Sequence, residues 1–348
     1  MATKRPLSQV FIAVERTVTV ERLALWFISL VLAGVTPSLA QKRTTADSPL
    51  AILLAAGDIA KCTAKRDEAT AKVLEREIES AKKAKVRVHV LALGDLAYDG
   101  GTRRDFKCFE SSWGKPAIYP YLLPVPGNHD VQEHRNAKPY FDFFANLPIV
   151  HESRSRGGYY AVEITNGDQP AWRIYGLNAY AGFSASSDQL RWLDKDLEAN
   201  KAPCVLAFWH PFLFSSGHWG HNRSRDPNAP TKRLDMSAAP FNLLYRNGGS
   251  VVLTAHDHDF EQFKRLDPDG NADEKGVRSF VVGTGGAPLY RDVVYRKKAP
   301  GSEKYDQDSH GVLRVDLYPN RYEWSFLPIE GATPITLDPS TDNCNERR

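Results

Sequence analysis

Three short segments of this chain are apolar almost throughout, and they constrain its fold more than any other feature. They read AILLAA (51–56), CVLAFW (204–209) and SVVLTA (250–255). A strand with one face in water alternates apolar and polar side chains, whereas a run without alternation is expected where both faces of a sheet are covered. Segments with the helical spacing of apolar residues lie between such runs, at 67–84, 186–199 and, more briefly, 239–246.

The order of these segments predicts an α/β fold with mixed sheets and helices on the outside. Further runs of strand length lie at 86–93, 121–125, 159–164, 172–177, 278–283, 311–317 and 322–326. No linker interrupts them, so we expect one domain over residues 48–330, with the tail 331–348 packed on it. The polar stretch 215–237 is too long for an ordinary connection, and loops of that length are often functional.

The first 40 residues form a segment of a different kind. Four basic residues precede an apolar run at 23–35, and the small residues Ser38 and Ala40 follow it. A membrane-spanning helix needs about 20 apolar residues, so this pattern predicts a secretory signal peptide over 1–40, cleaved after Ala40. An uncleaved membrane anchor is the alternative. The mature protein is therefore expected to be secreted or periplasmic, with no stable membrane span.

The charge of the chain excludes one class of partner. The net charge is +3, and the four basic and two acidic residues of the first 40 contribute +2 of it. The remainder is close to neutral, so we expect no nucleic acid partner. The sequence gives no prediction of oligomeric state.

Four cysteines follow the predicted signal peptide, at 62, 108, 204 and 344. None forms a Cys-x-x-Cys pair, so a zinc knuckle is not expected. An even number of cysteines in an exported chain favours disulfides, and three pairings are possible. We favour Cys62–Cys108, because each of the two lies shortly after a Gly-Asp pair that ends an apolar run. Cys204–Cys344 would then join the tail to a core strand.

Polar residues of only a few kinds follow five of the apolar runs. They are Asp58 after 51–56, Asp95 and Tyr98 after 86–93, Asn128 and His129 after 121–125, His210 after 204–209, and His256 and His258 after 250–255. In open α/β sheets, ligands bind at the carboxyl ends of the strands. Carboxylate, imidazole, amide oxygen and phenolate groups ligate di- and trivalent first-row metals. The set is too large for one ion, and two ions that share a carboxylate fit it better.

Taken together, these motifs resemble the calcineurin-like metallophosphoesterase superfamily. They are Gly57-Asp58, GDLAY (94–98), GNHD (127–130), Trp209-His210 and HDH (256–258), in the order and spacing of that family. Tyr98, three residues after Asp95, makes the chain similar to the purple-acid-phosphatase branch. Other members usually have a His two residues after the first Asp, where this chain has Ala60. The resemblance implies a four-layer αββα sandwich, with two mixed sheets flanked by helices and a metal site at the C-terminal ends of the strands.

The resemblance also implies how two metal ions would be held. The ligands of the first would be Asp58, Asp95, Tyr98 and His258, and the phenolate there favours Fe(III). The ligands of the second, which could be Fe(II), Zn(II) or Mn(II), would be Asp95, Asn128, His210 and His256. Asp95 would therefore bridge the two ions.

The implied reaction is hydrolysis of small phosphate esters by a hydroxide bound at this binuclear centre. His129 would stabilise the transferring phosphoryl group or protonate the leaving oxygen, and Asp130 would orient His129. Phosphomonoesters, as for an acid phosphatase, are the expected substrates. A phosphodiesterase or nucleotide hydrolase with the same metals is the alternative. A non-catalytic scaffold that binds phosphoryl ligands is a further alternative, against which the complete ligand set argues.

The chain departs from the family pattern at two positions. Ala255 stands where the family usually has the Gly of Gly-His-x-His, and an Ala in a left-handed backbone conformation would cost stability. Pro211 follows His210, where many bacterial relatives have a second His. We expect His218 or His221, on the polar stretch 215–237, to supply the substrate-contacting imidazole instead.

Overall fold

Two β-sheets lie at the centre of the computed structural model, which describes residues 48–291 and 293–347. The predicted signal peptide at 1–40 lies outside the described residues. In chain order the strands are Ala51–Ala56 (β1), Ala60–Lys61 (β2), Arg87–Leu93 (β3), Ala97–Tyr98 (β4), Leu122–Val125 (β5), Tyr160–Asn166 (β6), Gln169–Gly176 (β7), Cys204–Pro211 (β8), Val251–Ala255 (β9), Phe260–Leu266 (β10), Val277–Val282 (β11), Ser302–Asp306 (β12), Gly311–Leu317 (β13), Arg321–Pro328 (β14) and Thr341–Asn343 (β15).

Both large sheets are mixed. The first has six strands in the order β15-β14-β13-β1-β3-β5, and the second has seven in the order β12-β10-β11-β9-β8-β7-β6. Strands β1, β3 and β5 run parallel to one another, as do β7, β8, β9 and β11. The outer strands pair antiparallel, and a small parallel pair, β2 with β4, stands apart. The prediction of an α/β sandwich with two mixed sheets is confirmed.

The second sheet buries both of its faces in its central strands. Leu206, Phe208 and Leu253 pack in the same apolar cluster as β1 and β3, between the sheets. The alternate residues Val205 and Val252 belong to a second cluster, beneath the helices. Apolar side chains on both faces explain why these strands show no alternation in the sequence.

Six α-helices of the described residues lie outside the sheets. Their bounds are Asp67–Ala84 (α1), Arg103–Ser111 (α2), Lys138–Phe143 (α3), Pro148–Ser153 (α4), Asp188–Ala199 (α5) and Ala238–Arg246 (α6). The predicted helices correspond to α1, α5 and α6. The Ser187 hydroxyl caps α5 by accepting a hydrogen bond from Leu190 N. None of these helices is long and apolar enough to span a membrane, within the residues that are described.

Two disulfides tie distant parts of the chain together. They are Cys62–Cys108 and Cys204–Cys344, so both favoured pairings are confirmed. The second closes 140 residues of chain and fixes the tail beside β8. The tail also adds β15 to the edge of the first sheet, and Arg265 and Arg278 both bind the Asp342 carboxylate.

A buried carboxylate holds the start of the polar stretch 215–237. Glu261 on β10 is fully buried and accepts hydrogen bonds from Ser216 N at 2.7 Å and from the hydroxyls of Ser216 and Ser302 at 2.5 Å. Burial raises the pKa of Glu261 to about 7, although the hydrogen bonds from Ser216 and Ser302 act in the opposite direction. Removal of this side chain from water is therefore the dominant effect.

This raised pKa predicts a loss of stability as pH rises from about 4.5 to about 7. In that window the folded chain keeps the Glu261 proton that the unfolded chain releases. The contribution of Glu261 to the free energy of unfolding is therefore complete below pH 4.5 and lost by pH 7. We expect the free energy of unfolding of wild type, relative to Glu261→Gln, to fall by roughly 3 kcal/mol across the window. Urea unfolding of both proteins at several pH values measures it, and parallel pH curves would contradict it.

Candidate metal centre

The predicted ligands come together where the C-terminal ends of strands from both sheets meet. Asp58, Asp95 and Asn128 follow β1, β3 and β5 of the first sheet. His210 lies near the end of β8, and His256 follows β9. His258 lies in the bend that follows, outside any strand.

The first group of donor atoms consists of Asp95, His210 and His256. One ligand atom from each lies within 4.8 Å of the other two. His210 Nε2 is 3.2 Å from Asp95 Oδ2, and His256 Nδ1 is 3.2 Å from His210 Nε2. Two imidazole nitrogens and a carboxylate oxygen facing one another are a donor set typical of a divalent transition metal.

The second group consists of Asp58, Tyr98 and His258. Tyr98 Oη is 2.7 Å from Asp58 Oδ1 and 3.1 Å from His258 Nε2, and His258 Nε2 is 3.2 Å from Asp58 Oδ1. The phenol oxygen is also 3.1 Å from Asp95 Oδ2. The same Asp95 oxygen therefore faces both groups, as a bridging carboxylate would.

Backbone carbonyls fix the orientation of two imidazoles. His210 Nδ1 donates to Leu93 O at 2.9 Å, and His258 Nδ1 donates to Pro288 O at 2.6 Å. In each ring Nε2 is then left with a lone pair that faces the donor groups. Hydrogen bonds of this kind set the tautomer of metal-binding histidines.

Asn128 supplies the clearest sign that the pocket accommodates a cation. Its side-chain oxygen is buried and has no hydrogen-bond partner among the described residues. An orphaned buried amide oxygen costs about 1–3 kcal/mol unless something binds it. Together with the carboxylate, phenol and imidazole donors around it, this oxygen fits the metal pair that the resemblance implies.

The charges of the site call for positive compensation. Asp58 and Asp95 are almost fully buried, and within residues 48–291 and 293–347 only imidazoles form ion pairs with them. Burial alone would raise the pKa of Asp95, but His210 holds it well below its usual range. Burial alone would lower the pKa of His210, but Asp95 raises it to about 9. The carboxylates are therefore paired with protons on imidazoles, which metal ions displace when they bind.

The pKa of Tyr98 responds to the same surroundings. Burial, followed by the negative charge of Asp58 and Asp95, raises the pKa of Tyr98 well above its ordinary value. The phenolate form therefore requires a cation at the oxygen, because burial and the carboxylates of Asp58 and Asp95 all disfavour a negative charge there.

Three of these residues adopt a left-handed backbone conformation that side chains other than glycine rarely take. The φ angles are 57° at Asp58, 50° at Asp95 and 75° at His256. Such strain costs on the order of 1–3 kcal/mol per residue and concentrates at functional sites. The expected penalty at Ala255 is wrong, because the left-handed residue is His256. The Ala255 methyl packs against Gly57, where a Cβ would lie only 2.6 Å from it.

His129 lies beside the donor groups and is partly exposed. Its Nδ1 is 2.5 Å from Asp99 O, and its Nε2 is 3.9 Å from Asp95 Oδ2. The imidazole also contacts the Tyr98 ring, with 4.4 Å between centroids. The ring is thus fixed with one nitrogen toward the site.

Asp130 does not orient His129, so that prediction is wrong. Its buried carboxylate accepts hydrogen bonds from the backbone amides of Gly127 at 2.8 Å, Leu96 at 3.0 Å and Ala97 at 3.1 Å. The Asp99 carbonyl contacts the imidazole instead. Asp130 holds together the two loops that carry Asp95 and Asn128.

The structure separates the two histidines predicted to contact substrate. The His221 ring is buried and stacks on Tyr295, with 3.9 Å between centroids. The His218 ring is partly exposed and lies 4.8 Å from the Tyr290 ring, which stacks on His258. Of the two, His218 is the one connected to the donor groups through ring contacts.

Sequence reasoning missed Trp219 and Tyr290, which line the site. The Trp219 ring lies 5.1 Å from the His256 ring, and the Tyr290 ring lies 4.2 Å from the His258 ring. Tyr290 follows the glycine-rich segment 283–288. At Gly283 a Cβ would lie 2.7 Å from Asp58 Oδ2, so these glycines do mark a close approach to the site.

Residues 52–260, which include every candidate ligand, match the family described as calcineurin-like phosphoesterase. The chain belongs to this family. Purple acid phosphatase 15 of Arabidopsis thaliana is 28% identical over 57% of this chain and 40% of its own length. Purple acid phosphatase 21 of the same plant is 27% identical over 72% of this chain and 56% of its own. The chain spans about half the length of these relatives. The predicted superfamily and its purple-acid-phosphatase branch are confirmed.

Solved structures show the same fold at low identity. The purple acid phosphatase PPD1 of yellow lupin (Lupinus luteus) aligns with a TM-score of 0.64 and 15% identity, over 84% of this chain and 53% of that one. GAP50, the anchor in the inner membrane complex of Plasmodium, aligns with a TM-score of 0.60 and 15% identity, over 85% and 89% of the two chains.

The position of Asp95 depends on the absence of a side chain at Gly127. A Cβ there would lie 2.1 Å from both Asp95 N and Asp95 Oδ1, and backbone cannot yield as a flexible side chain can. We expect Gly127→Ala to displace Asp95 and to lose most of the bound metal, measured by elemental mass spectrometry of the purified protein. Gly167→Ala is the control, because no atom lies within 4 Å of its added methyl group and its left-handed φ of 59° makes the cost one of local backbone strain alone. Wild-type metal content in Gly127→Ala would contradict the prediction.

Proposed function

We propose that this chain hydrolyses phosphomonoesters at a pair of metal ions. The observation that carries the proposal is the convergence of two donor groups on a shared Asp95 oxygen, beside a buried Asn128 oxygen that has no partner within the described chain. Membership of a phosphoesterase family and similarity to acid phosphatases support the reaction class.

The ligands divide between two positions. Asp58, Tyr98 and His258 would hold Fe(III), and Asn128, His210 and His256 would hold Fe(II), Zn(II) or Mn(II), with Asp95 bridging the two. Bound metals would supply an activated water as nucleophile and would stabilise the charge on the phosphoryl oxygens. The hydrogen bonds to Leu93 O and Pro288 O hold two of the imidazoles ready for ligation.

His129 would deliver a proton to the leaving oxygen. Contact of Nδ1 with Asp99 O leaves Nε2 free to face the substrate, 3.9 Å from Asp95 Oδ2. The ring cannot swing away easily, since it packs on Tyr98. A fixed nitrogen at the edge of the metal pair is suited to general acid catalysis.

Two disulfides support the proposal that the protein works outside the reducing cytosol. Such bonds persist in secreted and periplasmic proteins. This agrees with the signal peptide predicted at 1–40.

Hydrolysis of p-nitrophenyl phosphate by protein reconstituted with iron plus zinc or manganese tests the function. We expect turnover in wild type and none in Asp95→Asn, since loss of the bridging charge should empty both metal positions. Metal content measured together with the circular dichroism spectrum of both proteins separates loss of metal from misfolding. Faster hydrolysis of the bis-ester would favour a phosphodiesterase, and no turnover of either ester by a metal-loaded protein would favour a binding scaffold.

We expect His129→Ala to keep its metals but to lower kcat by roughly 10²–10⁴-fold, the usual contribution of a general acid. The loss should be greater for an alkyl phosphate than for p-nitrophenyl phosphate, because a poor leaving group needs the proton more. His134→Ala is the control, since that imidazole is exposed on a nearby turn. Equal losses for both substrates would show that His129 does not protonate the leaving group.

A further inference from the structure

Trp219, near the start of the polar stretch 215–237, and Tyr290 form an aromatic wall beside the candidate metal centre. The Trp219 ring lies 5.1 Å from His256 at an interplanar angle of 32°, and the Tyr290 ring lies 4.2 Å from His258 at 14°. Trp219 Nε1 donates to Tyr290 Oη at 3.5 Å. Each donor group therefore has one wall residue packed on one of its histidines: Trp219 on His256 and Tyr290 on His258.

A buried carboxylate fixes this wall in place. Asp257 accepts hydrogen bonds from Ser215 Oγ at 2.7 Å, Trp219 N at 2.8 Å and Gly220 N at 3.0 Å. At Gly217 a Cβ would lie 2.1 Å from Asp259 Oδ2, so the turn can pack there only without a side chain. The position of Trp219 is therefore set by the same segment that carries His256 and His258.

Arg223 lies on this wall. Its guanidinium carbon is 4.8 Å from the centre of the Trp219 ring, a distance typical of a cation–π contact. The side chain is exposed, and no acidic residue in the described part of the chain forms an ion pair with it. Arg223 is thus a cation without an anionic partner among the described residues, separated from the candidate ligand His256 by the Trp219 ring, and it is available for a ligand.

The backbone that places Arg223 is strained. Asn222 and Arg223 both have left-handed φ angles, 53° and 58°. The turn closes through hydrogen bonds from Asn222 N to Trp219 O and from Arg223 N to His218 O, both at 2.8 Å. Two consecutive residues of this kind cost on the order of 1–3 kcal/mol each, and such strain persists where the surrounding structure imposes it.

Resting on the proposed function, we propose that Arg223 recognises a second anionic group of the substrate. The preferred substrates are then phosphate esters whose leaving group carries a carboxylate or a further phosphate. The guanidinium fork binds either anion through two parallel hydrogen bonds. Stacking on Trp219 limits its motion, so less conformational entropy is lost on binding.

The test compares three esters: phenyl phosphate, para-carboxyphenyl phosphate and para-phenylene bisphosphate. The measured quantity is kcat/KM for each charged ester divided by that for phenyl phosphate, in wild type, Arg223→Gln and Arg225→Gln. Arg225 is the matched control, because it is exposed on the same loop and contacts no aromatic ring among the described residues. We expect Arg223→Gln to reduce the ratio by about fivefold or more, and Arg225→Gln to leave it unchanged.

The two charged esters separate the two sources of the anion. A ratio that depends on Arg223 for both esters supports recognition of either anion, carboxylate or phosphate, and dependence for the bisphosphate alone supports recognition of phosphate. The preference should also shrink at high ionic strength, because the side chain is exposed. If Arg223→Gln and Arg225→Gln lower the ratio equally, the effect reflects net charge alone and the proposal is overturned. The proposal is also overturned if wild type does not prefer the charged esters to phenyl phosphate.

A binding measurement keeps this proposal separate from the proposed hydrolysis. Calorimetry of metal-loaded protein with phenylphosphonate and with para-carboxyphenylphosphonate needs no turnover. If wild type prefers the charged phosphonate and Arg223→Gln does not, Arg223 recognises the second anion even if none of the esters is hydrolysed. If the two phosphonates bind wild type equally, the inference fails whether or not the esters are hydrolysed.

Discussion

The structure depends on the burial of two carboxylates a few ångströms apart. Asp58 and Asp95 are held in a place that water does not reach, and neither has a lysine or arginine partner among the described residues. Like charges at such a distance raise each other's pKa unless positive charge lies close by. Imidazoles supply part of that charge, and the Tyr98 phenol and the Asn128 amide complete a donor set for metal ions. A core built only for stability would not bury these groups together.

The backbone is strained at the residues that place these carboxylates, and the strands of the two sheets hold it in that conformation. Asp58, Asp95 and His256 all turn left-handed as the chain leaves a central strand. The loops around them are joined by Asp130, whose carboxylate accepts backbone hydrogen bonds from both sides. A single buried side chain thus fixes the relative position of two ligand-bearing loops, which explains why an acidic residue next to His129 has no contact with it.

The parts that sequence predicted are those that local patterns determine. The strands with apolar side chains on both faces were recognisable because burial suppresses alternation, and the ligands were recognisable because they end these strands. Strands β10 and β12 and helices α3 and α4 were missed, because they are short or carry mixed polar residues and are stabilised by tertiary contacts. The contact of Ala255 with Gly57 also involves residues far apart in the chain, so the sequence suggested a penalty at Ala255, whereas the structure packs its methyl group against Gly57.

The HDH segment (256–258) carries two candidate metal ligands and also anchors the turn beside them, where the proposed substrate contact lies. His256 and His258 face the donor groups, while Asp257 between them accepts three hydrogen bonds from the turn that carries Trp219. The segment that carries two of the candidate ligands therefore also holds the turn that carries Trp219. Residues farther along the turn, such as Arg223, lie beyond these anchors and touch the ligands only through Trp219. A substitution at Arg223 therefore leaves the contacts among the candidate ligands in place, so the loop can be altered separately from the donor groups.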